Sequence, residues 1–140
     1  MPPFHLAARG RYSLAAQAAF LRGFAPALYE GGDGAAIELA FPVERGWKTA
    51  GIRVTTENGG VRVDSSGRPP AHLEEQVQRM LSLDVDGTGY AAVGQRDPKI
   101  AALQESSGWL RPISFPSPYE AAVSRKLIGL SKIARSVASA

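Results

Sequence analysis

The stretch that decides the fold is residues 36–66, which read AIELAFPVERGWKTAGIRVTTENGGVRVDSS. Apolar residues alternate with polar or small ones in three runs of this stretch, and such alternation is typical of strands with one buried face. Asn58 and Gly59 separate the last two runs and supply the positive φ values that a tight hairpin turn requires. The pattern therefore predicts an antiparallel meander.

Strand and helix signals flank the meander on both sides. Residues 4–8 are a short apolar stretch that predicts a first strand, and Ser13 can cap a helix whose apolar positions continue until Pro26. On the other side, Pro69 and Pro70 lead into a second amphipathic helix with acidic residues in its first turn. We therefore expect an α+β fold, with an antiparallel sheet of about five strands, two main helices on one face and a C-terminal helix.

The C-terminal part has weaker signals. Asp97 and Pro98 predict the start of a short helix, and residues 110–118 are punctuated by prolines and expected to be extended. The apolar positions of a last amphipathic helix recur at spacings of four and three residues: Val123, Leu127, Leu130, Ala134 and Val137. This pattern divides the chain into a domain of residues 1–116 and a basic tail of residues 117–140.

The composition limits the classes of function. A chain of 140 residues with 44% apolar and 21% charged residues is sized for one compact domain. The absence of cysteine excludes disulfides, thiolate metal sites and a cysteine nucleophile, and His5 and His72 are too far apart for a local metal motif. No apolar run approaches the roughly 18 residues that span a bilayer, and the start lacks a signal peptide. We expect a cytoplasmic protein without a metal, a cofactor or a membrane contact.

The positive charge of the chain is concentrated in its tail. Residues 1–120 carry twelve basic and thirteen acidic side chains, although the whole chain has a net charge of +3. The excess comes from Arg125, Lys126, Lys132 and Arg135. A basic nucleic-acid surface over the body of the chain is therefore not expected, and the tail helix is the candidate for phosphate contacts or for docking onto the sheet or a partner.

Residues Asp84 to Tyr90 match the first seven positions of a calcium-binding EF-hand loop. Position twelve would be Gln95, which cannot supply the bidentate carboxylate, and Pro98 interrupts the helix that should leave the loop. We therefore interpret the stretch as a plain turn. Its two aspartates, Asp84 and Asp86, are then expected to cap backbone amides and not to bind a metal or act as an acid–base pair.

Among four notable aromatic residues, Trp47, Trp109 and Tyr119 are candidates for stacking on a ligand. Phe20 lies on the apolar side of the first helix, and Trp47, Trp109 and Tyr119 lie near turns. Aromatic side chains at such positions more often complete a small core. From the spacing alone, the core interpretation is favoured for all four.

Two blocks of sequence contain motifs in a specific order and spacing. The first is residues 12–26, and the second is residues 80–98 together with 110–112 and 117–122. They resemble the N-terminal part of the alkylated-base DNA glycosylases, the 3-methyladenine DNA glycosylase II family of the helix-hairpin-helix superfamily. The resemblance covers about residues 4–123 and implies a fold similar to half of the TATA-binding protein, in which helices back an antiparallel sheet.

The resemblance implies a role in base-excision repair of alkylated DNA. Enzymes of that family flip a damaged base into an aromatic cleft, where an aspartate stabilises the developing sugar cation. Phe20 matches the phenylalanine that borders the base pocket. The family's helix-hairpin-helix and aspartate have no counterpart up to Ala140, so no catalytic residue is assigned and we expect a truncated or frame-altered product that is inactive alone. Arg125 and Lys126 are the candidate DNA contacts.

The sequence thus favours the N-terminal accessory domain of a DNA glycosylase, with DNA as a partner and with enzymatic activity left open. The alternative is a stand-alone module that binds a protein or a ligand through its sheet or its tail helix. Self-association through that helix belongs to the same alternative.

Overall fold

The computed structural model describes residues 3–24, 35–46, 48–107 and 109–125. The strands are β1 (Phe4–Ala7), β2 (Ala36–Pro42), β3 (Thr49–Glu57) and β4 (Gly60–Ser65). The helices are α1 (Leu14–Gly23), α2 (Leu73–Met80), α3 (Tyr90–Arg96), α4 (Pro98–Ser106) and α5, over residues 118–125. The fold is therefore α+β, as the sequence predicts.

The described strands form one antiparallel sheet in the order β1-β4-β3-β2. The connection from β3 to β4 is the turn that the sequence predicts, with φ of 32° at Asn58 and 78° at Gly59. In the register of the ladder, Val54 pairs with Ile37 on one side and with Val63 on the other. The described residues form four strands, whereas the sequence predicts about five.

The two faces of the sheet differ in character. One face is apolar and packs with α1 and α2 in a single core cluster, which includes Leu6, Leu14, Ala18, Ile37, Val54, Val61, Val63, Leu73, Val77 and Met80. The opposite face carries polar side chains that form ion pairs, such as Arg53 with Glu38 across β3 and β2 at 2.5 Å and Arg62 with Asp64 within β4 at 3.0 Å. The main helices thus cover one face, as expected from the alternation.

Local signals account for most helix boundaries. The Ser13 hydroxyl accepts a hydrogen bond from the Ala16 N–H at 3.1 Å and begins α1, and the Asp97 carboxylate accepts from the Lys99 N–H at 2.8 Å and begins α4. The sequence analysis missed α3, because this helix of seven residues has no side-chain cap and no buried residue. The basic tail helix lies outside the described residues beyond residue 125. Within the part of the chain that is described, no helix has the length and apolar character needed to cross a membrane.

Candidate functional site

A buried glutamine joins the two sequence blocks from which the family resemblance comes. Gln17 of α1 is completely buried. Its Nε2 donates to the backbone carbonyls of Leu81 and Arg111, at 3.0 Å each, and its Oε1 accepts from the Tyr12 hydroxyl at 2.7 Å. Burial raises the pKa of Tyr12 far above its usual value, so this phenol keeps its proton and remains a donor. The network fixes α1 against the chain on both sides of α3 and α4.

A second buried side chain, Arg111, holds the loop that resembles an EF-hand. Its guanidinium donates to the carbonyls of Ser82 and Val85, at 3.0 and 2.9 Å, and to those of Arg9 and Arg11. These carbonyls come from two segments far apart in sequence, so one cation holds them together.

Gly87 and Asp86 each have a structural role in the loop that resembles an EF-hand. A Cβ at Gly87 would lie 2.6 Å from Arg111 Nη2, so only glycine allows the guanidinium to approach. Asp86 Oδ1 accepts from the Thr88 N–H at 3.0 Å and from its hydroxyl at 2.7 Å. These hydrogen bonds hold the pKa of Asp86 below its usual value. The loop is thus a turn in which an arginine supplies the positive charge, and Asp86 caps a backbone amide as the sequence analysis predicts. In the described segments, no three His, Asp or Glu side chains are grouped so that they could hold a metal ion.

Residues 110–117 form the wall that faces the end of α1. The Ser114 N–H donates to the Met80 carbonyl at 2.9 Å, and Gln76 Nε2 donates to the Pro116 carbonyl at 2.8 Å. The Ser117 hydroxyl accepts from the Glu120 N–H at 3.2 Å and begins α5. The backbone of α2 and its buried Gln76 therefore position α5 beside α1 and β2.

An apolar cavity of about 310 Å³ opens between α1, β2 and this wall. We refer to it as the aromatic cleft. Its lining includes Phe20, Phe24, Phe115, Tyr119, Glu120 and Val123. A concave apolar surface with few polar groups is the usual form of a small-molecule site.

The three exposed or half-buried phenylalanine rings of the aromatic cleft contact one another in a row. Phe20 stacks on Phe24 with ring centroids 5.4 Å apart and 17° between the planes, and Phe24 contacts Phe115 at 6.3 Å and 60°. Phe20 is 42% exposed and Tyr119 is 63% exposed. The core interpretation of these two side chains is therefore wrong, because both are exposed at the cleft.

Glu120 is the one carboxylate among the described residues that line the cleft. Burial raises its pKa above the usual range for glutamate. The group would give up its proton more readily if a cation entered the cleft, because an opposite charge favours the ionised form. The cleft therefore offers aromatic faces and one polar group that can change its charge.

The other candidate residues lie away from this cleft or outside the described residues. Arg125 is exposed near the end of α5, and Lys126 is outside the described part of the chain, as is Trp47. Trp109 is partly buried, and the Arg11 guanidinium lies 4.5 Å from the centre of its ring. The structure therefore groups Phe20 with Phe24, Phe115 and Tyr119 and not with the predicted DNA contacts.

Sequence reasoning did not single out Phe24 or Phe115 for the cleft, nor Gln17 and Arg111 for the networks beside it. The proline-punctuated segment around Phe115 was the only local sign of an irregular wall. Searches with this chain found no matching protein-family model, curated protein or solved structure.

Proposed function

We propose that this chain is the N-terminal accessory domain of a base-excision-repair DNA glycosylase that acts on alkylated bases. In this proposal, the aromatic cleft forms one wall of the pocket that receives the flipped base. The observation that carries the proposal is the position of Phe20. The resemblance assigns this residue to a base pocket, and its ring is exposed at a cleft that contains Phe24, Phe115 and Tyr119.

The arrangement of elements supports the same proposal. The chain order is a strand, a helix, a three-stranded meander and a second helix, and both helices cover one face of the sheet. The resemblance implies this arrangement, that of half a TATA-binding protein, and a fifth strand would be part of it. The two blocks that carry the resemblance contact each other directly through Gln17 and Arg111.

The chemistry of the cleft suits an alkylated purine. Alkylation of a ring nitrogen in DNA gives the base a positive charge, and aromatic faces attract cationic rings. Glu120 adds a carboxyl group whose ionised form would be favoured by such a ring. The exposed Arg125 can make only a weak, salt-sensitive contact with phosphate, so most of the DNA affinity of this enzyme would come from its catalytic part.

The proposal can be tested by nuclear magnetic resonance titration of the chain with free 3-methyladenine. We expect shifts confined to residues of the aromatic cleft, and a dissociation constant about tenfold weaker in Phe20→Ala, because one stacking ring is lost. Leu103→Ala is the matched control, since Leu103 is 57% exposed on α4 and does not line the cleft. Absence of shifts in the cleft, or equal binding by Phe20→Ala, would contradict the proposal.

A second function is favoured by the exposure of the rings. An open apolar cleft can also belong to a stand-alone module that binds an apolar ligand or a partner side chain. The fluorescent probe 1-anilinonaphthalene-8-sulfonate separates the two functions. A site for cationic bases should discriminate against this anion. Binding of the anion in the cleft, with no binding of 3-methyladenine, would therefore favour the interaction module.

A further inference from the structure

A second cavity, of about 520 Å³, lies beside the turn between β3 and β4. We call it the hairpin cavity, and the residues that matter in it are Arg11, Tyr12, Ser13, Thr56, Gly59 and Trp109. Among its described lining residues, Arg11 carries the one charge and there is no carboxylate. The volume lies within the range of about 300–1,000 Å³ that is usual for ligand sites.

Arg11 has the properties of an anion-binding side chain. Its guanidinium lies over the Trp109 ring at 4.5 Å from the centroid, which restrains the plane of the group. Within the described residues, this guanidinium makes no ion pair and donates no hydrogen bond. A stacked guanidinium keeps its N–H groups in its own plane, where they match two oxygens of a phosphate.

Trp109 is held in an unfavourable backbone conformation. Its φ is +62°, in the left-handed region that costs an aromatic residue about 1–2 kcal/mol. Two groups restrain the ring: Arg11 lies over it, and the Tyr90 ring is nearly perpendicular to it, with the two centroids 6.1 Å apart. The part of the indole that lines the cavity is a rigid surface against which a planar ring can pack.

We propose that the hairpin cavity binds a nucleoside phosphate, with the ring of the base against Trp109 and the phosphate on Arg11. A simple anion would not use the indole, and an aromatic carboxylate of the size of benzoate would leave much of the cavity empty. The phosphate group can belong to a free nucleotide or to a nucleotide of a single strand.

This site is separate from the aromatic cleft. Ser13 begins α1 and lines the hairpin cavity, whereas Phe24 follows the end of α1 and lines the cleft. The ten residues of the helix span about 15 Å. Nucleotide binding in the hairpin cavity therefore does not depend on the proposed function of the aromatic cleft.

The test is calorimetric titration of the full chain with AMP, adenosine and inorganic phosphate. We expect AMP to bind more tightly than either of its parts, and Arg11→Gln to weaken AMP binding about tenfold or more, because charge-assisted hydrogen bonds are lost. Arg11→Lys keeps the charge but not the planar group and should give an intermediate loss. Arg68→Gln is the matched control, since Arg68 is exposed and its side chain makes no ion pair with the described residues.

A fluorescence titration locates the binding on one indole. The chain has two tryptophans, so in a Trp47→Phe variant AMP should quench the remaining emission of Trp109. An oligothymidylate that displaces AMP at a concentration below that of AMP would assign the site to a single strand. Failure of the oligothymidylate to displace AMP would assign the site to a free nucleotide. Three results would overturn the inference: no AMP binding at millimolar concentration, inorganic phosphate binding as tightly as AMP, or equal binding by Arg11→Gln.

Discussion

At the scale of single residues, two long polar side chains hold together parts of the chain that are distant in sequence. Arg111 is nine-tenths buried and donates to four backbone carbonyls, and Gln17 donates to two. Buried carbonyls in irregular segments need such donors, because no strand or helix supplies them. Two buried polar side chains, Gln17 on α1 and Arg111 in an irregular segment, therefore determine how the loops pack.

Replacement of Arg111 should be costly. We expect Arg111→Met to lower the free energy of unfolding by about 2–4 kcal/mol, because it leaves buried carbonyls without donors while keeping much of the side-chain volume. Urea denaturation measures the change. Arg68→Met, at an exposed position, should change stability by less than about 0.5 kcal/mol. Similar midpoints for the two variants would show that Arg111 does not hold the loop.

Asp86 should make the free energy of unfolding depend on pH in the acid range. Its pKa in the folded chain is lowered by the backbone N–H and then the hydroxyl of Thr88, so its contribution is complete above the unfolded value of about 3.9. The contribution is lost as the pH falls through the lower folded value. Wild type should therefore lose stability more steeply than Asp86→Asn below about pH 4. Asp84→Asn is the control variant, because the Asp84 carboxylate makes no ion pair with the described part of the chain, and its stability at neutral pH should match that of wild type.

At the scale of elements, the β3–β4 turn depends on one glycine. Gly59 and Gly46 both have open space where a Cβ would stand, but only Gly59 has a positive φ, of 78°. We expect Gly59→Ala to lower stability by about 1 kcal/mol and Gly46→Ala to have little effect. Thermal denaturation of the two variants makes the comparison. Equal midpoints would show that the turn tolerates a Cβ and does not set the register.

The elements also show which features could be predicted from the sequence. The strands of the meander, α1, α2 and α4 have alternation or capping residues within a few positions, and the sequence was sufficient for them. Helix α3 has neither signal and forms against α4, where Gln104 Nε2 donates to the Tyr90 carbonyl at 2.6 Å. The aromatic cleft brings Phe20 beside Phe115, about a hundred positions away in the sequence. Such an approach depends on tertiary packing, which no local pattern records.

At the scale of the whole molecule, charge and aromatic groups lie in different places. The open face of the sheet has ion pairs among its charged side chains, including Arg53 with Glu38 at 2.5 Å and Arg62 with Asp64 at 3.0 Å. Such exposed pairs contribute little stability, and they leave little unpaired charge to attract a phosphate backbone. Three of the exposed rings, those of Phe20, Phe115 and Tyr119, line the cleft on the other side, beside α1. A ligand would therefore be recognised mainly by its ring, and long DNA would be held weakly.

The separate locations of charged and aromatic side chains predict that the 140-residue chain alone releases no alkylated base from DNA. Hydrolysis requires an ionised carboxylate beside the sugar and enough backbone contacts to offset a few kcal/mol of unstacking. No cation lines the described part of the aromatic cleft, so the cleft offers few contacts that could hold the backbone of a flipped nucleotide. We expect DNA containing 3-methyladenine to release base at the rate without protein, measured by chromatography. Protein-dependent release that is lost in both Phe20→Ala and Glu120→Gln would instead show that the cleft is a complete active site with Glu120 as its carboxylate.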